Sequence, residues 1–65
     1  MNSARQFFEN QLVNYKQAAK YLSVSVSYLR RLKANRRIPY VVIGARGVRF
    51  RVSSLNRWTN EREIQ

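Results

Sequence analysis

A chain of 65 residues that contains neither Cys nor His has to hold itself together by side-chain packing alone. Disulfides and zinc are the usual staples of domains this small, and neither can form here. A chain near this length buries only about 60% of the surface its unfolded form exposes, so the core is thin and a deep closed pocket is not expected. One small domain is all the length allows. The material for its core is present. Residues of the apolar set make up 45% of the chain, including four Tyr, three Phe and one Trp. Disorder is therefore disfavoured despite the charge.

The same absences narrow the chemistry. Without Cys or His there is no thiolate nucleophile, no Ser–His pair and no imidazole proton relay. The three carboxylates, Glu9, Glu61 and Glu63, lie near the termini. They offer little for carboxylate catalysis or for a hard metal ion. The expectation is a binding protein with no catalytic activity, no cofactor and no metal. No apolar run approaches a membrane span, and the N-terminus lacks the layout of a signal peptide. A cytoplasmic location is expected, with no membrane partner.

Charge then points to the partner. The chain carries 13 Lys+Arg against 3 Asp+Glu, a formal net charge of +10. From Asn10 to Asn60 there is no acidic residue, while all but two of the cations, Arg5 and Arg62, fall between Lys16 and Arg57. An ordinary solvated surface mixes both signs. A long basic stretch without acids fits a polyanion, and cations spread over several elements suit nucleic acid better than a lipid surface.

The pattern along the chain predicts several short elements. Met1–Asn10 reads as a helix or arm, with Ser3 and Gln6 at capping-box spacing and Ala4, Phe7 and Phe8 on one side. Phe7 and Phe8 are expected to pack into the core rather than to present a partner patch. Leu12-Val13 reads as a brief strand. Asn14, with Gln17 three residues on, opens a helix whose Ala18, Ala19 and Leu22 face inward, with Lys16 and Lys20 on the other side. Ser23-Val24-Ser25 breaks it, and Ser25 caps a second helix from Val26 to about Ala34. There Leu29 and Leu32 point inward, Ser27, Arg30, Arg31 and Ala34 outward, and Tyr28 lies at the edge. Asn35 is expected to end that helix in the left-handed conformation. Two short helices joined by about three residues, the second rich in Arg, form the helix-turn-helix arrangement.

Ile38-Pro39 blocks further helix. Tyr40–Ile43 and Val48–Val52 read as two strands around a glycine-flanked turn at Gly44–Gly47, a hairpin with a cationic tip. Ser53 is expected to cap a last helix with Leu55 and Trp58 inside. The boundaries expected are an arm over residues 1–11, the binding domain over 12–60 and a frayed tail over 61–65.

These residues resemble a known family. The run from Leu12 to Ser25, LVNYKQAAKYLSVS, is similar to the opening of excisionase-type DNA-binding domains. Ile38-Pro39, then Arg49-Phe50-Arg51 followed by Ser53-Ser54-Leu55-Asn56-Arg57-Trp58, resemble its later motifs in order and spacing. The resemblance implies a small α+β winged helix-turn-helix, related to the MerR-type DNA-binding domain, with a two- or three-stranded β wing. It implies sequence-specific duplex DNA binding in the bacterial nucleoid, in aid of excision of a mobile element, with an integrase or recombinase as partner. A small prophage or plasmid transcription regulator on the same fold is the alternative, and an RNA binder or a protein adaptor are rivals from other classes. Ser23 stands where the family usually has a turn glycine.

The expected DNA contacts are as follows. Ser25, Ser27 and Tyr28 lie at the start of the recognition helix, with Ser25 first of all a cap. Arg30 and Arg31 are expected in the major groove, where Arg pairs bidentately with guanine. Lys33, Arg36 and Arg37 are expected on phosphates, and Lys16 is expected to contact DNA. Arg46, Gly47 and Arg49 are expected to contact DNA through the wing, Gly47 by allowing close backbone approach. The protein is expected to be a monomer in solution and to act as cooperative copies on DNA.

Overall fold

The computed structural model describes residues 8–65. Among them the order is β1 (Leu12–Val13), α1 (Tyr15–Leu22), α2 (Val26–Ala34), β2 (Val41–Ile43), β3 (Gly47–Arg51) and α3 (Val52–Glu61). The three strands form an antiparallel sheet in the order β1-β3-β2. This is a winged helix-turn-helix, and the α+β expectation holds.

Local chemistry explains the two central helices. The Asn14 side chain accepts from the Gln17 backbone N–H at 2.8 Å, while the Gln17 side chain accepts from the Asn14 N–H at 3.0 Å. This reciprocal box fixes the start of α1. At its end Ser23 turns left-handed (φ 60°), and Val24 N–H reaches back to the Ala19 carbonyl at 2.9 Å. That Schellman closure redirects the chain within two residues. Ser25 then caps α2, its hydroxyl accepting from Tyr28 N–H at 3.0 Å.

The core joins both layers. Val13, Ala18, Ala19, Leu29, Leu32, Ile38, Phe50, Val52 and Leu55 are buried together. The two alanines let α2 approach α1 closely, and Phe50, fully buried, fills the centre from the middle strand. Register follows from the period-2 alternation of β3: Phe50 sits opposite Val13 and faces the core, which sends Arg49 and Arg51 to the other face. Val41 pairs with Arg49 and Ile43 with Gly47, so the hairpin loop is Gly44-Ala45-Arg46, entered through Gly44 at φ 67°.

Four expectations are corrected. Asn35 does not turn left-handed (φ −91°); Arg36 does (φ 55°). The last turn of α2 closes one residue later, with Arg37 N–H on the Leu32 carbonyl at 2.8 Å and Arg36 N–H on Lys33 at 3.0 Å. Ser53 is not a cap: α3 begins at Val52 with no side-chain cap. Its first N–H groups are taken by backbone carbonyls, Val52 to Gln11 at 3.0 Å and Ser53 to Glu9 at 2.6 Å. Glu9-Asn10 form a turn where the end of a first helix was expected. Phe8 is 81% exposed, not core; Met1–Phe7, with the rest of the expected first helix, lie outside the described residues. Trp58 packs on the core as expected, half-buried, and its Nε1–H donates to the Arg37 carbonyl at 2.7 Å.

Candidate nucleic-acid interface

The inward face of α2 is spent on Leu29 and Leu32, both buried. Helical spacing therefore sends the polar residues to one outer face. Ser25, Ser27, Tyr28, Arg30, Arg31 and Ala34 are exposed there, and Lys33 is half-buried. Ser25 and Ser27 stand at the helix N-terminus, the end with free N–H groups and positive dipole. Arg36 and Arg37 follow the helix, both exposed. With Ile38, Pro39 and Tyr40 they line an open cleft of about 450 Å³.

Three cations of α2 lie over aromatic rings. The Arg30 guanidinium is 4.5 Å from the centroid of Tyr15, Arg31 is 6.0 Å from Tyr28, and the Lys33 ammonium is 5.0 Å from Tyr40. Tyr15 and Tyr40 were not among the residues singled out in the sequence. Their pairings cross between elements, so no local spacing reveals them; only the surplus of Tyr over a minimal core hints at another use.

The wing carries the remaining candidates. Arg46 is exposed in the hairpin loop. Gly47 has an explanation inside the hairpin: a β-carbon there would overlap the Ile43 carbonyl oxygen. Arg49 is half-buried, its guanidinium donating to the Val48 carbonyl at 2.9 Å. Arg51 is held away from the wing surface by a bond to the Asn10 carbonyl at 3.3 Å. Lys16 is exposed and follows Tyr15, so it sits at the end of α1 that meets Arg30. The structure thus places the Ser25–Arg37 set along α2 and its exit, leaves Lys16 exposed on α1, and puts Arg46, Gly47 and Arg49 on a separate hairpin.

Among the described residues no ion pair neutralises this surface. Among the described residues one ion pair forms, Arg62 with Glu61 at 3.7 Å, at the far end of α3. The opposite side is joined by neutral contacts such as the Tyr21 hydroxyl donating to Asn56 Oδ1 at 2.6 Å. Among the described residues no cluster of His, Cys, Asp or Glu could hold a metal ion, and no helix is long and apolar enough to cross a membrane. What the arrangement offers is a row of cations along α2, without ion-pair partners among the described residues, and a separate hairpin whose loop carries Arg46. An α-helix with its side chains is about 10–12 Å across, close to the roughly 12 Å width of a DNA major groove.

Compared with known proteins, residues 12–63 match a family described as a helix-turn-helix domain. No curated protein and no solved structure matches the chain.

Proposed function

Since the chain belongs to this helix-turn-helix domain family, an excisionase-like family of DNA-binding proteins, we propose that it reads duplex DNA sequence-specifically as an architectural factor in the excision of a mobile element. The observation that carries the reading is the acid-free outer face of α2, with its cations laid over aromatic rings, together with an arginine-tipped hairpin. In this reading α2 enters the major groove. Arg30 and Arg31 meet base edges, while Ser27 and Tyr28 line the entry and the Ser25 cap leaves N–H groups for a phosphate. Lys16, Lys33, Arg36 and Arg37 neutralise phosphates on either side. Arg46 reaches the adjacent minor groove, where width and negative potential favour arginine; Gly47 and Arg49 support the hairpin that delivers it.

The protein binds without catalysis or cofactor, and an integrase or recombinase uses the DNA it shapes. A module of this size covers about 600–1,000 Å² of its own surface on DNA, so one copy discriminates weakly and repeated half-sites supply the rest. Titrating DNA that carries one, two or three sites a helical turn apart tests this role. Cooperative binding by a protein that sediments as a monomer, with bending of the multi-site DNA, is the expected result. Independent binding of equal affinity per site, or a stable dimer before DNA is added, would remove the architectural role and leave a simple transcription regulator on the same fold.

A further inference from the structure

Tyr15 has no part in the contacts assigned so far, yet it sits between the core and the recognition helix. It is the first residue of α1 and is half-buried. Its ring meets Phe50 edge to face, with centroids 5.3 Å apart and planes at 71°. Phe50 is fully buried on the central strand, opposite Val13. The core therefore fixes one side of the Tyr15 ring, while Arg30 lies over it with its guanidinium carbon 4.5 Å from the centroid.

The geometry matters because of how a guanidinium divides its interactions. Stacking uses the face of the planar group, and the N–H donors lie in the plane. In a face-to-face stack on Tyr15 the donors of Arg30 stay available to a partner beyond the protein, and among the described residues its guanidinium forms no ion pair. No carboxylate competes for them: the sequence has none from Asn10 to Asn60, and the one ion pair among the described residues is on α3. Arg31 is a contrast. Its ring, Tyr28, is 43% exposed, belongs to the same helix and is 6.0 Å away. Among the described residues no buried ring meets Tyr28 as Phe50 meets Tyr15.

We propose that Tyr15 is a specificity-determining positioning residue: its core-anchored ring sets the plane of the Arg30 guanidinium before DNA arrives. This rests on the reading of α2 as the helix that enters the groove. A side chain ordered in advance loses less freedom on binding, and a bidentate contact is sensitive to its plane. Arg30 then supplies discrimination between bases, whereas Arg31, less firmly held, supplies mainly affinity.

The test compares two duplexes of equal length, one recovered by the wild-type protein from a randomised pool and one scrambled. The ratio of the two affinities is the readout. Arg30→Ala should lower the ratio. Tyr15→Leu should lower it about three- to tenfold, the worth of one cation–π contact, with affinity for the scrambled duplex unchanged. Tyr15→Phe, which keeps the ring, should retain the wild-type ratio. Adding Tyr15→Leu to Arg30→Ala should change nothing further. Should Arg30→Ala lower the ratio while Tyr15→Leu does not, or should Tyr15→Phe fail along with Tyr15→Leu, the positioning role is wrong although the groove reading stands. Full discrimination by Arg30→Ala would overturn the positioning role, and full discrimination by Arg30→Ala and Arg31→Ala alike would overturn the groove reading itself. A measurement on the free wild-type protein guards against misfolded variants. The Arg30 side-chain protons should show an upfield ring-current shift, and ordinary free-arginine shifts would refute the stack directly.

Discussion

Both helices of the helix-turn-helix end on a left-handed residue that is not glycine, Ser23 at φ 60° and Arg36 at φ 55°. The closures are alike, with the following N–H bonded back five residues, Val24 to Ala19 at 2.9 Å and Arg37 to Leu32 at 2.8 Å. A β-carbon in that conformation costs about 1–2 kcal/mol. Glycine removes the cost but gives the unfolded chain more freedom, worth about 0.4–1 kcal/mol in the other direction. Ser23→Gly and Arg36→Gly should therefore each stabilise by about 0.5–1 kcal/mol. In a 65-residue domain that raises Tm by about 3–6 °C. The two variants should part company on DNA. Ser23→Gly leaves affinity unchanged, whereas Arg36→Gly loses one phosphate cation and lowers the slope of log K against log[salt] by about 0.9. Thermal melts at fixed ionic strength, with Ser23→Ala as a control that keeps the β-carbon and gains nothing, give the stability. Binding measured across a salt series gives the slope. If both glycine variants melt at or below the wild-type temperature, the strain argument is wrong. If Arg36→Gly binds with an unchanged slope, Arg36 is not a phosphate contact.

Three further substitutions probe the frame that holds the site. Phe50→Ala removes the fully buried ring that supports Tyr15 and should cost about 3–5 kcal/mol, near the whole stability of so small a domain; amide dispersion in an NMR spectrum should collapse. Gly47→Ala drives a β-carbon into the Ile43 carbonyl and should cost about 1–3 kcal/mol, seen as a lower denaturant midpoint with selective loss of protection across the β2–β3 pairing. Trp58→Phe keeps the packing but loses the 2.7 Å bond to the Arg37 carbonyl, and urea titration should show a loss of about 0.5–1.5 kcal/mol.

What the sequence disclosed and what it hid divide along a physical line. The Asn14–Gln17 box and the Ser25 cap are bonds between residues three apart, so spacing alone placed the starts of α1 and α2 correctly. The outer face of α2 followed from a 100° period once Leu29 and Leu32 were assigned inside. Long-range bonds were invisible. Ser53 looked like a cap because its chemistry suits one, but the donors of α3 were already taken by Glu9 and Gln11, more than forty residues earlier. Asn35 has the better left-handed propensity, yet the turn closed on Arg36, because the point at which α2 stops depends on where Ile38 must enter the core. Phe8 illustrates the converse: an aromatic side chain alone does not make a core residue when its backbone is committed to a turn. The stacking of Arg30 on Tyr15 joins two helices and could be found only from their packing.

The central claim is that the outer face of α2 and the hairpin tip meet duplex DNA. Backbone amide shifts recorded during titration with a duplex test it most directly, because every exposed residue reports at once. The largest changes should fall on Ser25–Arg37 and on Gly44–Gly47, with Arg30 and Arg31 side-chain signals moving and the Tyr21–Asn56 side staying still. Changes centred on Tyr21, Asn56 and the exposed end of α3, with α2 unmoved, would contradict it.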